Sequence, residues 1–135
     1  MQPNSNGVII YAFNSNFDYV KAATFAAKQV KTCLNLPVTL ITDSYVDGFD
    51  SVIVLNDKDS TIRQYRSSDG TIEELEWFNK NRTSVYALSP YDKTLLIDAD
   101  YFMFNDSLKV MFDTTSEFAC FNEINDVSGL ESQQL

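Results

Sequence analysis

Short unbroken apolar runs alternate along this chain with segments whose apolar residues recur every three or four positions. Val8–Phe13 is the first run and predicts a strand buried on both faces. Ser15 followed by Asp18 fits a capping box, so a helix is expected from there, with Phe17, Val20, Ala23, Ala27, Val30 and Leu34 forming its stripe. Asn35 and Pro37 predict its end. Val38–Thr42 reads as a second buried strand, which makes a strand–helix–strand unit expected to be parallel and right-handed. Ser51–Leu55 predicts a third strand. Asn56–Gly70 is polar and mixed in charge, and is expected to be a surface excursion. Thr71 with Glu74 predicts a helix through Trp77 and Phe78, and Arg82–Leu88 another that ends before Pro90. Thr94–Ile97 predicts a strand running into Asp98-Ala99-Asp100 and the apolar Tyr101–Phe104. Asp106 is expected to cap a short helix over Leu108–Phe112. Glu117–Phe121 predicts a last strand, and residues 122–135 an irregular tail. This alternation predicts an α/β fold: a mostly parallel open sheet flanked by helices, Rossmann-like, in a single domain spanning 1–135.

Composition narrows what such a domain does. Nineteen acids against ten bases in 135 residues give a net charge of −9. Phosphate backbones are bound through clustered Lys and Arg, so nucleic acid is not an expected partner. An anionic membrane surface is disfavoured for the same reason. The chain has no His, which removes Ser–His–Asp and Cys–His catalysis and imidazole metal ligation. Cys33 and Cys120 both lie in apolar stretches and are expected to be reduced, buried thiols. Val8–Phe13 is shorter than a signal-peptide core, and no stretch approaches the ~20 residues of a membrane span. A cytoplasmic location with no membrane span is expected.

The candidate chemistry lies in Asp98 and Asp100, directly after a hydrophobic strand. In an open α/β sheet, ligands gather beyond the carboxyl ends of the strands. In extended backbone, acids at i and i+2 point the same way. Two adjacent carboxylates repel unless a cation sits between them. Mg²⁺ or Mn²⁺, completed by water and substrate phosphate, is the expected occupant, and it would supply the positive charge that this acidic chain lacks.

The run Tyr91-Asp92-Lys93-Thr94-Leu95-Leu96-Ile97-Asp98-Ala99-Asp100, preceded by a helix with Arg82 at its start, resembles the nucleotide-sugar glycosyltransferases of the GT-A fold. It is most like family eight, which contains glycogenin, galactinol synthase and bacterial lipopolysaccharide galactosyltransferases. Asn16-Phe17-Asp18-Tyr19-Val20-Lys21-Ala22-Ala23 is similar to that family's first strand-to-helix junction, and the two matches span about Gly7 to Phe121. The resemblance implies that Asp98 and Asp100 ligate Mn²⁺ or Mg²⁺, with Asp98 and the intervening Ala99 also against the donor. It implies that Phe13, Ser15, Asn16 and Tyr19 hold the nucleoside, Tyr19 stacking on uracil, and that Arg82 lies near the diphosphate. Asp43, just past the second strand, matches no motif.

The chain departs from the family pattern as well. The family's third metal ligand is a downstream His, absent here, and the sequence stops 35 residues after Asp100. The acceptor half is therefore expected to be missing, and no catalytic base or nucleophile is assigned. For a complete form the resemblance implies transfer from a UDP-sugar with retention, to an acceptor left unassigned. The alternative is a truncated nucleotide-binding or assembly module without transfer activity, with a homodimer or a partner chain covering an incomplete sheet face. Haloacid-dehalogenase-type phosphatases also use Asp-x-Asp, but after their first strand and with a Thr two places on, where this chain has Phe102.

Overall fold

The computed structural model describes residues 5–56, 60–78 and 80–120. Its centre is a four-stranded, all-parallel sheet of β1 (Asn6–Tyr11), β2 (Val38–Thr42), β3 (Ser51–Val54) and β6 (Lys93–Ile97), in the order β3-β2-β1-β6. The architecture is α/β and compatible with a Rossmann-like fold. β1 and β2 are interior strands, and their apolar runs have no polar face because both faces are covered. Against one face, α1 (Tyr19–Leu34) sets Ala23, Ala26, Ala27, Val30 and Leu34 on Val8, Ile10, Val38 and Leu40. The three alanines let the helix axis approach the sheet closely. On the other face, Ile9, Tyr11, Phe13 and Ile41 pack with Val85 of α2 (Val85–Leu88). Fully burying each large aliphatic side chain contributes ~1.5–3 kcal/mol, so these two layers hold the sheet.

Three local expectations change. The cap of α1 is Asp18, whose carboxylate accepts from the Lys21 N–H at 3.0 Å, and Ser15 and Phe17 lie in the loop before it. Phe17 is accordingly exposed rather than part of the buried stripe. The helix does stop at Asn35, which takes the left-handed conformation at φ 52°. The segment 71–78 is not a helix. Ile72–Trp77 is strand β5, paired antiparallel with β4 (Thr61–Arg66), so the polar excursion contains half of a hairpin. The Thr71 hydroxyl and N–H both go back to Asp69, while Gly70 turns the chain at φ 88°. The Gly70 N–H closes the β-turn on the Ser67 carbonyl at 2.9 Å, and the bonds to Asp69 take the Thr71 side chain away from any capping role. Arg82–Leu88 divides into a 3-10 helix, Lys80–Ser84, followed by α2, which does end before Pro90.

Further along, Ser107–Asp113 is a 3-10 helix whose first N–H is taken by Asn105 Oδ1 at 3.0 Å, not by the Asp106 side chain. Among the described residues, 117–120 form no strand and pair with no other segment, and Phe118 is exposed. An apolar run with no described strand beside it has no ladder to join. Phe121 and the predicted tail at 122–135 lie outside the described residues. Cys33 is half-buried, but Cys120 is exposed, contrary to the expectation of two buried thiols. Among the described residues no helix is long and apolar enough to cross a membrane.

Asp50 clamps the amino end of β2. One carboxylate oxygen accepts from the Val38 N–H at 2.7 Å, and the group is paired with Lys31 of α1 at 2.5 Å. Partial burial pushes its pKa up, but the bonds from Lys31 and Val38 outweigh that, and the net shift is below the ordinary 3.8. A carboxyl lowered by folding adds stability above its unfolded pKa and loses it as pH falls through the folded value. The side chain is 38% exposed, so screening holds the contribution to about 1 kcal/mol. Urea unfolding of Asp50→Asn should show that loss at pH 7, and the gap to the parent should close below about pH 3.8.

Candidate functional site

The chain leaves β1, builds β2 and β3 on one side, and returns to place β6 on the other. Helices and loops must part where the order reverses, so a crevice opens beyond the carboxyl ends of β1 and β6. A cleft of about 760 Å³ lies there. It is lined by Phe13, Ser15, Asn16 and Tyr19 from the β1–α1 junction, by Arg82, and by Asp98, Ala99 and Asp100 after β6. All eight positions singled out from the sequence therefore meet on one concavity. Asp43 does not line it.

The junction loop owes its shape to the helix it starts. Asn14 Oδ1 accepts from the Val20 N–H at 2.9 Å, alongside the bond that the Lys21 N–H donates to Asp18. Tyr19 N–H donates to the Phe17 carbonyl at 3.1 Å and Ala22 N–H to the Asp18 carbonyl at 3.3 Å. The Ala22 bond is the first within the helix, and the N–H groups of Tyr19, Val20 and Lys21, which an α-helix start leaves without intrahelical partners, are thus all taken. Phe17 and Tyr19 stand edge to face at 4.8 Å on the outer lip. Phe13 is 5% exposed and pairs with Tyr11 at 4.8 Å, so its ring serves the core while closing the floor of the cleft.

The Asp98–Asp100 segment is a turn rather than extended backbone, closed by the Tyr101 N–H on the Asp98 carbonyl at 3.1 Å. The extended i, i+2 register expected for the two acids is therefore not the one they adopt. What survives is the exposure pattern: Ala99 is buried, and both aspartates are exposed at the cleft. Arg82 reaches Asp98 Oδ1 at 2.5 Å. The guanidinium neutralises one of the two carboxylates and ties the 3-10 helix to the end of β6.

A divalent cation would find hard oxygen donors in Asp98 and Asp100. Among the described residues no group of three His, Cys, Asp or Glu comes together. Two carboxylates suit an ion that keeps water and shares phosphate oxygens with a ligand, the usual habit of Mg²⁺.

The sequence reading missed the far wall. Arg63, Tyr65, Leu75 and Glu76 of the β4–β5 hairpin line the cleft with Phe78 just beyond. The signal that could have revealed it was Asp69-Gly70 within the connection between two strands of six residues each, a short-range hairpin mark. A second groove, of about 650 Å³, shares Asn16, Phe17, Ala99 and Asp100 with the cleft and runs out to Phe25 and Phe102, whose rings are 5.1 Å apart.

Comparison with family models, with curated proteins and with solved structures finds no match to this chain.

Proposed function

We propose that this chain binds a nucleotide-sugar, with a UDP-sugar as the favoured class, in the cleft between β1 and β6. The single observation carrying this reading is the convergence: the Asp98-Ala99-Asp100 turn, Arg82 and the β1–α1 junction are up to 87 residues apart in sequence and line one cavity at the reversal of strand order. Tyr19 and the floor at Phe13 offer aromatic surface to a base, and stacking of that kind contributes ~1–3 kcal/mol per base. Asp98 and Asp100 would hold Mn²⁺ or Mg²⁺ against the diphosphate. A cation there supplies positive charge for a diphosphate leaving group. Arg82 contributes its own charge beside it. The corresponding architecture is the nucleotide-binding half of a GT-A glycosyltransferase, and the corresponding reaction in a complete form is sugar transfer with retention.

Calorimetric titration of UDP with and without Mn²⁺ tests the reading. Saturable binding that strengthens when Mn²⁺ is added is expected. No binding in either condition would overturn it. Release of the sugar from a panel of UDP-sugars separates a transferase from a module that only binds.

A further inference from the structure

A diphosphate in this cleft carries negative charge into an acidic protein, and the structure limits where compensation can come from. In many nucleotide-binding α/β folds the first helix N-terminus provides it through free backbone N–H groups. Here those groups on Tyr19, Val20 and Lys21 are bonded to Phe17, Asn14 and Asp18, and the cap is itself a carboxylate. The junction loop 14–18 contains no Gly whose backbone could close on a phosphate. Side-chain cations remain. The chain has three arginines, and two of them, Arg63 and Arg82, line this one cleft. They approach from different elements: Arg82 from the 3-10 helix, where it grips Asp98, and Arg63 from β4. Along β4 the side chains alternate, so Arg63 and Tyr65 share the face turned to the cleft, while Arg66, an odd number of positions away, belongs to the other face and is not in the lining.

We infer that the β4–β5 hairpin is the roof of the binding site and that Arg63 is a phosphate-binding residue, holding the diphosphate from the side opposite Arg82. This rests on the nucleotide reading of the cleft. The guanidinium fork suits phosphate oxygens, and charge-assisted bonds of this kind are the strong ones. The hairpin forms its own two-stranded sheet, hydrogen-bonded to no strand of the main sheet. Isolated pairs of strands are marginal, so a ligand bridging Arg63 to the cleft floor also steadies the roof.

The experiment is a UDP titration in Mn²⁺ of the parent chain and the variants Arg63→Gln, Arg63→Lys and Arg66→Gln, with uridine titrated in parallel by NMR. Arg63→Gln should weaken UDP by about 10- to 100-fold and leave uridine unchanged, since the lost bond is to a charged group. Arg63→Lys should recover part of the loss, and Arg66→Gln should bind UDP as the parent does. Hydrogen exchange across 61–77 should slow when the parent is saturated with UDP. Equal UDP affinity in Arg63→Gln would overturn the inference while leaving the nucleotide reading intact. Parallel loss of UDP and uridine would also overturn it, because Arg63 would then act through the shape of the roof. A parent chain that binds no UDP would remove the nucleotide reading, and the inference with it.

Discussion

Asp100→Ala is expected to abolish the gain in UDP affinity that Mn²⁺ brings, while leaving the fold in place. The two carboxylates of the turn are not equivalent. Asp98 is already engaged by Arg82 at 2.5 Å. Asp100 is exposed at the cleft, and among the described residues it makes no hydrogen bond or ion pair. It is therefore the carboxylate most ready to meet a cation, and without it a metal would have to compete with Arg82 for Asp98. Loss of even an outer partner costs a metal site roughly 10–100-fold, so loss of a direct ligand should exceed that range. Because the side chain is exposed, urea stability should stay within about 0.5 kcal/mol of the parent. Calorimetry with UDP and Mn²⁺, beside urea unfolding, makes both measurements on one preparation. A variant that still responds to Mn²⁺ like the parent would end the metal assignment at this turn.

Gly7→Val should be the most destabilising single change on the β1 side of the sheet. A Cβ at this position would sit 2.4 Å from the Tyr91 ring, well inside van der Waals contact. The ring has little freedom to withdraw. Its hydroxyl is bonded to Thr39 Oγ1 at 2.6 Å, and Thr39 is in turn bonded to Ser51 Oγ at 2.7 Å. Gly7 is itself buried in β1, fixed by its pairing with Thr94 of β6. Moving either partner breaks a part-buried chain of hydroxyls that runs through buried Thr39, or it breaks the ladder. Overpacking costs ~1–3 kcal/mol, and a lost buried hydrogen bond adds ~1–3 kcal/mol where it leaves a polar group unpaired. Urea unfolding should show a loss of several kcal/mol by this reasoning. In a Tyr91→Ala background the same substitution should cost much less, since the opposing ring is gone. Additive losses would show that Tyr91 is not the obstacle.

The sheet and its main helix were readable because burial leaves a direct mark on composition. A strand covered on both faces must be apolar at every position, and Val8–Phe13 and Val38–Thr42 are nearly so. The helix between them has its stripe and its Asn35 stop. The cleft was readable for a related reason: acids directly after a buried strand must lie at the sheet's carboxyl edge, wherever the neighbours are. The hairpin was not readable in the same way. Ile72–Trp77 alternates apolar and acidic residues imperfectly, and Thr71 with Glu74 satisfies a helix start equally well. What decided it was pairing: Gln64 opposite Glu74 and Tyr65 opposite Glu73 bring hydrogen-bond donors on β4 to acceptors on β5. No window of sequence contains that, since each strand is stabilised by the other.

The sequence by itself determined the α/β class, the order of the buried strands along the chain, and which side chains lie at the carboxyl edge, because each follows from local burial and the polarity of the strand ends. The tertiary structure alone decided that β6 lies beside β1, that Asp98 turns onto Arg82, and that Arg63 of a hairpin lines the same cleft. Those are encounters between segments distant in sequence. They are set by which surfaces remain to be covered once the helices and strands have formed, and no property of a single segment encodes them.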